Sequence, residues 1–179
     1  MAKQKWKPGN MVYPLPAVLV SCGDKEGNLN LMTAAWTGTI CSDPPMVYVS
    51  IRKERHSHHM IRETGEYVIN LTTEKLARAT DFCGVRSGRD MDKFKEMQLT
   101  PVHGALKYAP MVEESPVSIE CQVTQVVELG SHDMFMAKVT AVYVDETYMD
   151  GKGTFHLEKA EPLVYSHGQY YGIGKHIGG

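Results

Sequence analysis

Hydrophobic and polar positions alternate with a period of two along much of this chain, the spacing of half-buried β-strands. The pattern is clearest in the carboxy-terminal third. There Val117, Ile119, Cys121 and Val123 alternate with Ser118, Glu120, Gln122 and Thr124, and the phase then slips around Gln125-Val126-Val127, as a β-bulge makes it do. A Gly130-Ser131-His132-Asp133 turn leads into a return strand with Phe135, Ala137, Val139, Ala141 and Tyr143 in phase. Upstream, residues 16–21, 46–51 and 67–71 read as shorter strands rich in β-branched residues, punctuated by a polar hairpin turn at 23–28 and by Asp43-Pro44-Pro45. Residues 162–166 and 169–173 predict two short closing strands.

Helical spacing is confined to short stretches. Residues 58–65 predict a helix with Ser57 as N-cap and Gly65 as its stop. Residues 73–82 predict an amphipathic helix, with Leu76, Ala79, Thr80 and Phe82 near one face, capping the end of a barrel. A loop at 87–90 precedes a third short helix at 91–97. The irregular segment 103–116 reads as a surface excursion or as a lid beside a ligand. Many strands at short spacing, with helices inserted rather than alternating, predict a mainly β barrel and argue against a doubly wound sheet.

One stretch departs from this patterning. Residues 32–40 form an expected strand of small side chains, among them Thr33, Ala34, Ala35, Thr37, Gly38 and Thr39, which let a planar ligand approach the backbone. Trp36 adds one large apolar wall. The strand at 46–51 then runs into Arg52, Lys53, Glu54, Arg55, His56 and Ser57 at the start of the first expected helix. Free N–H groups, the helix dipole and arginine forks together make a site for phosphate. Read alone, the same residues also describe a solvated cationic turn after a buried strand.

Composition narrows the classes. The chain has 179 residues, 42% hydrophobic and 22% charged, and reads as one globular domain over 1–179. A formal net charge of −2 argues against a general nucleic-acid binder, so the local basic cluster suits a small anion. The four cysteines, Cys22, Cys41, Cys83 and Cys121, contain no C-x-x-C pair, which supports neither a zinc ribbon nor a disulfide framework. Pro14 and Pro16 interrupt the apolar stretch after the basic amino terminus, and no run of about 18 apolar residues occurs. A cytoplasmic location, with no membrane span and reduced thiols, is the expectation.

Individual residues remain open at this level. The run His56-Ser57-His58-His59 lacks a converging carboxylate or cysteine, because Glu63 and Glu66 fall on an expected solvent face, so no metal is expected and His58 reads as a phosphate donor. His132, by itself, reads as an exposed turn histidine. Neither a G-x-x-x-x-G-K-[ST] phosphate loop nor a defensible Ser-His-Asp constellation is present. Tyr165, Tyr170 and Tyr171 suit a ligand mouth or a dimer contact, and equally, for one of them, a place in the core.

The order N-L-M-T-A-A-W, D-P-P, V-S-I-R, R-H-S-H and G-E-Y-V-I-N-L, followed by F-C-G, S-G-R-D-M-D-K-F and G-S-H-D-M-F, resembles the flavin reductase-like family of FMN-binding split barrels, flavoredoxin included. The resemblance runs over roughly residues 14–171. It implies a mainly β fold, a six-stranded antiparallel Greek-key split barrel with short peripheral helices, assembled as a homodimer around FMN. It implies that Asn30, Thr33, Ala34, Ala35 and Trp36 meet the flavin ring and ribityl chain. Ser50, Ile51, Arg52, Ser57 and His58 would hold ribityl and phosphate groups, and Cys83 and Lys93 would join the cofactor site. His132 becomes the catalytic candidate and Tyr171 a substrate contact at the mouth. The implied activity is an FMN-dependent NAD(P)H oxidoreductase that reduces flavin or another small acceptor. The other reading is an FMN electron-transfer protein serving a redox partner.

Overall fold

The computed structural model describes residues 1–179. The strands are β1 (Leu15–Pro16), β2 (Val18–Gly23), β3 (Leu29–Ala34), β4 (Thr37–Ser42), β5 (Pro45–Arg52), β6 (Glu66–Leu71), β7 (Pro101–Val102), β8 (Met111–Val112), β9 (Val117–Glu128), β10 (His132–Val144), β11 (Leu163–Ser166) and β12 (Gln169–Gly172). The helices are α1 (His56–Thr64), α2 (Ala77–Val85) and α3 (Lys93–Met97). Every strand pairing is antiparallel. The principal sheet has seven strands in the order β3-β2-β6-β9-β10-β5-β4.

The seventh strand arises inside the stretch 32–40, which is two strands and not one. Ala35 and Trp36 form a corner between β3 and β4, and these strands then pair at opposite edges of the sheet, β3 with β2 and β4 with β5. Because the corner joins the two edges covalently, it curls the sheet towards closure, and Ser50 N donates to Trp36 O across it at 2.8 Å. Side chains of β2, β3, β5, β6, β9 and β10 fill the interior with Val18, Val20, Val49, Ile51, Tyr67 and Phe135. Met60 and Ile61 of α1 are packed into that same core. Truncating a fully buried phenylalanine such as Phe135 to alanine costs about 3–5 kcal/mol.

Strands β2 and β6 do not alternate in burial because both of their faces are covered. Outside β2 and β3, a second apolar cluster joins Leu19 and Leu31 to Leu76, Ala79 and Cys83 and to Phe94 and Leu99. The expected helix at 73–82 is a 3₁₀ turn (Glu74–Leu76) followed by α2, and its buried face is Ala79, Thr80 and Cys83, with Phe82 packed alongside. The third helix starts at Lys93 because the Asp92 carboxylate accepts from Lys95 N and so caps it.

The segment 103–116 lines neither side of a ligand cleft and is a cover for the outer sheet face. Glu120 Oε1 accepts from Ala105 N at 2.9 Å, Glu66 Oε2 from Tyr108 N at 2.7 Å, and Asn70 Oδ1 from Val112 N at 2.9 Å. Glu66, expected at a solvent face, is therefore buried. The phase slip in β9 is a bulge at Thr124, where Met136 pairs Gln125 but Ala137 pairs Val123. The two closing strands, β11 and β12, join β1 in a separate three-stranded sheet. All four cysteines are free, and no helix is long and apolar enough to cross a membrane.

Candidate functional site

The corner at Ala35–Trp36 opens onto a cleft of about 730 Å³. Met32, Thr33, Ala34 and Ala35 supply one side, and the small side chains of the last three leave the backbone close to the space. The Thr33 hydroxyl donates to Thr80 O, and a Cβ on Gly84 would sit in ordinary contact with Thr33 Cβ at 3.4 Å, so α2 packs directly on this strand. Trp36 and His132 face each other with ring centroids 6.5 Å apart and planes 3° apart. Tyr165 lies 6.4 Å from Trp36 and 5.9 Å from Tyr170, extending an aromatic wall from the separate sheet. From β5, Ser50 and Arg52 line the cleft while Ile51 between them points into the barrel core, as strand alternation dictates.

Arg52 and Arg55 line both this cleft and a second cavity of about 280 Å³, so the two are neighbours. The smaller one is cationic: Arg52, Arg55, Arg86, Arg89 and Lys93 line it against a single carboxylate, Glu54. Lys93 is 3% exposed, and its ammonium donates to Leu31 O at 2.8 Å and to Cys83 O at 3.0 Å. Burial pushes its pKa down to about 8. Asn30 Nδ2 donates to Ser57 Oγ at 2.8 Å. The first turn of α1 meets this cavity at His56 and Ser57, and His56 Nδ1 is buried with no hydrogen-bond partner.

Of the residues expected at the site, the structure brings Thr33, Ala34, Ala35, Trp36, Ser50, Arg52 and His132 to the larger cleft and Asn30, Arg52, Ser57 and Lys93 to the smaller. Four side chains lie elsewhere. Ile51 belongs to the core. Cys83 is buried on the inner face of α2, where burial pushes its thiol up to about 11. Tyr171 is 51% exposed and donates to Gln169 Oε1, whereas Tyr170, on the other face of β12, lines the cleft.

The fourth is His58. The helix begins two residues earlier than expected, with Arg55 and not Ser57 at the N-cap, so His58 faces inward and its Nε2 meets Asp133 Oδ2 at 2.8 Å. Gly65 closes the helix with φ of 70°, as expected. Asp133 also meets Lys53 at 3.4 Å and Arg62 at 3.4 Å, which ties the cationic turn to the first residues of β10. No group of three or more histidine, cysteine or carboxylate side chains converges as metal ligands.

Sequence reasoning missed Arg86 and Arg89, which follow α2, and Asp81 on that helix. The S-G-R motif was the available signal for Arg89. Period-two alternation in 169–172 was the signal that Tyr170 and Tyr171 face opposite ways.

A family model described as flavin reductase like domain matches residues 10–174. This chain belongs to that family. It is therefore a split-barrel flavoprotein of oxidoreductase type. In structure it is similar to the flavoredoxin of Desulfovibrio vulgaris (Miyazaki F), with a TM-score of 0.92 and 32% identity over 99% of this chain and 97% of that one. In sequence it is 33% identical to a protein of Aeropyrum pernix over 87% of this chain, although it spans only 58% of that longer relative. It is also 26% identical, over 86% of this chain and 80% of the relative, to the NADH-dependent flavin reductase StyB of Pseudomonas fluorescens.

The flavin reductase-like residues fit a flavin on chemical grounds. A flat, aromatic-walled cleft adjoins a cationic cavity that holds an unpaired buried imidazole nitrogen, which suits a planar ring carrying a phosphate tail.

Proposed function

We propose that this protein binds FMN and passes electrons from a reduced nicotinamide nucleotide to flavin or another small acceptor. The observation that carries the reading is the junction at Arg52 and Arg55, where the flat cleft meets the cationic cavity. Ring recognition and phosphate recognition are both needed for a flavin mononucleotide, and here the two cavities share two arginines.

FMN would supply the hydride and electron chemistry. The protein's own groups orient and shield. Arg52, Arg55, Lys93, Ser57 and the first turn of α1 anchor the phosphate. Met32 to Ala35 admit the ring edge to the backbone, with Asn30 at the floor of the phosphate cavity. Trp36 and Tyr170 exclude water from the ring. The cleft, at about 730 Å³, lies within the upper part of the range for small-molecule sites and has room for a second planar ring such as a nicotinamide. His132 supplies the proton-handling group. Burial and the nearby Arg52 hold its pKa below the usual imidazole value, so at neutral pH it is an uncharged donor or acceptor. Its Nδ1 meets Ser131 Oγ at 2.8 Å, which orients the ring.

The likeness to flavoredoxin favours a second reading, an FMN electron carrier that docks a redox protein. Anaerobic mixing separates the two. Bleaching of the bound flavin by NADH or NADPH at about 1–10³ s⁻¹ supports the reductase. Bleaching by a reduced ferredoxin-like protein, with neither nucleotide effective, supports the carrier.

A further inference from the structure

The cationic cavity holds more charge than one phosphate monoester matches. Five cations face one carboxylate, and a bound phosphate of about −2 would still leave a surplus of about two positive charges. Arg52 is spoken for by Glu54 at 3.6 Å, but Arg55, Arg86, Arg89 and Lys93 form no ion pair with a carboxylate. The surplus sits on one loop. Arg86 and Arg89 flank Gly88, both are exposed, and Arg89 Nη1 is held over the cavity by donating to Glu54 O at 3.0 Å. A Cβ on Gly88 would fall 2.0 Å from Asn30 Oδ1, so only glycine lets this loop lie directly on the cavity floor. The fold thus brings two arginines to the rim, above the buried Lys93 and Ser57.

We propose that Arg86 and Arg89 form a second phosphate subsite, beside the group of Arg52, Arg55 and Lys93, that takes pyrophosphate oxygens of a dinucleotide. Guanidinium forks match phosphate oxygens in pairs, and two of them three residues apart on one loop suit two linked phosphates. The inference rests on the flavin-binding reading of the same cleft. The pyrophosphate has two sources: a flavin dinucleotide held in place of FMN, or a nicotinamide dinucleotide lying beside bound FMN.

The test uses the full chain and the variant Arg86→Gln/Arg89→Gln, and reads equilibrium binding. In one arm the flavin-free protein is titrated with FMN and with FAD. In the other the FMN-loaded protein is titrated with ADP-ribose, which carries the pyrophosphate without a reducible ring. A variant whose affinity for FAD falls at least tenfold more than its affinity for FMN assigns the subsite to the flavin dinucleotide. A tenfold loss for ADP-ribose instead assigns it to the nicotinamide dinucleotide. If FAD and ADP-ribose affinities are both unchanged, or if FMN affinity falls as much as either, the subsite is overturned. Failure of the parent protein to bind any flavin would overturn the flavin-binding reading itself, a separate outcome.

Discussion

Raising the pH is the most direct perturbation of the anion cavity, because Lys93 is the one cation there whose charge is easily removed. Its pKa, about 8 in the free protein, is set by burial, with the carbonyls of Leu31 and Cys83 occupying two of its three protons. A phosphate dianion beside the ammonium favours the charged form, so FMN binding raises that pKa and takes up a proton above it. Affinity is complete below about pH 8 and is lost as the pH rises through it. If the complex keeps its proton to about pH 9.5, affinity falls roughly thirtyfold between about pH 7 and 9.5. The free protein moves the other way. Relative to the usual 10.5, the lowered pKa means that burying the charge costs stability below about 8, and this cost is relieved between 8 and 10.5. In the binding titration of the folded protein the other buried groups stay out of the window, since burial pushes Cys83 up to about 11 and Cys22 and Cys121 to about 12; in folding these thiols oppose Lys93 above about 9, where they ionise in the unfolded chain. Flavin fluorescence quenching at constant ionic strength measures the effect, with riboflavin as the phosphate-free reference. A flat FMN profile, or the same slope in Lys93→Met, refutes the reasoning.

Arg52→Ala should weaken FMN by about tenfold to a hundredfold, the worth of a charge-assisted hydrogen bond, and riboflavin much less. Equal losses in titration calorimetry would remove Arg52 from the phosphate site. Asp133→Ala should destabilise the fold by roughly 1–3 kcal/mol in urea denaturation, because the buried His58 ring loses its hydrogen-bond partner while Lys53 and Arg62, each half exposed, are left to water. A loss below about 1 kcal/mol would mean that the pair contributes little. The far end of β10 leaves Val142, Tyr143 and Val144 exposed, which fits the expected homodimer. Light scattering of the flavin-loaded protein should give twice the 20.0 kDa chain mass, and a monomer would count against that assembly.

The β character of this protein was legible in its sequence because a strand writes its period locally. Phe135 and Ala137 are buried in phase, and the slip expected around Gln125–Val127 marked a real bulge at the adjacent Thr124. That a cationic turn leads into the first helix was also legible, since Arg52, Lys53 and Arg55 stand within a few residues of the helix start. Gly65 announced the end of α1 because its left-handed φ is a property of a single residue.

Contacts between distant segments were decided only by the tertiary structure. Residues 32–40 look like one small-residue strand, yet closure of the sheet needs a corner at Ala35–Trp36, and that demand comes from β2 and β5. The inward turn of His58 depends on Asp133, 75 residues away. Glu66 and Glu120 are charged residues in strands, and nothing local says that residues 105–109 will fold back to satisfy them with backbone N–H groups. The position of Arg86 and Arg89 over the cavity likewise depends on Gly88 meeting Asn30 across the fold. Periodicity and capping act over a few residues and can be read in order along a chain. Burial of charge and the convergence of a site depend on which surfaces meet, and only the closed barrel determines that.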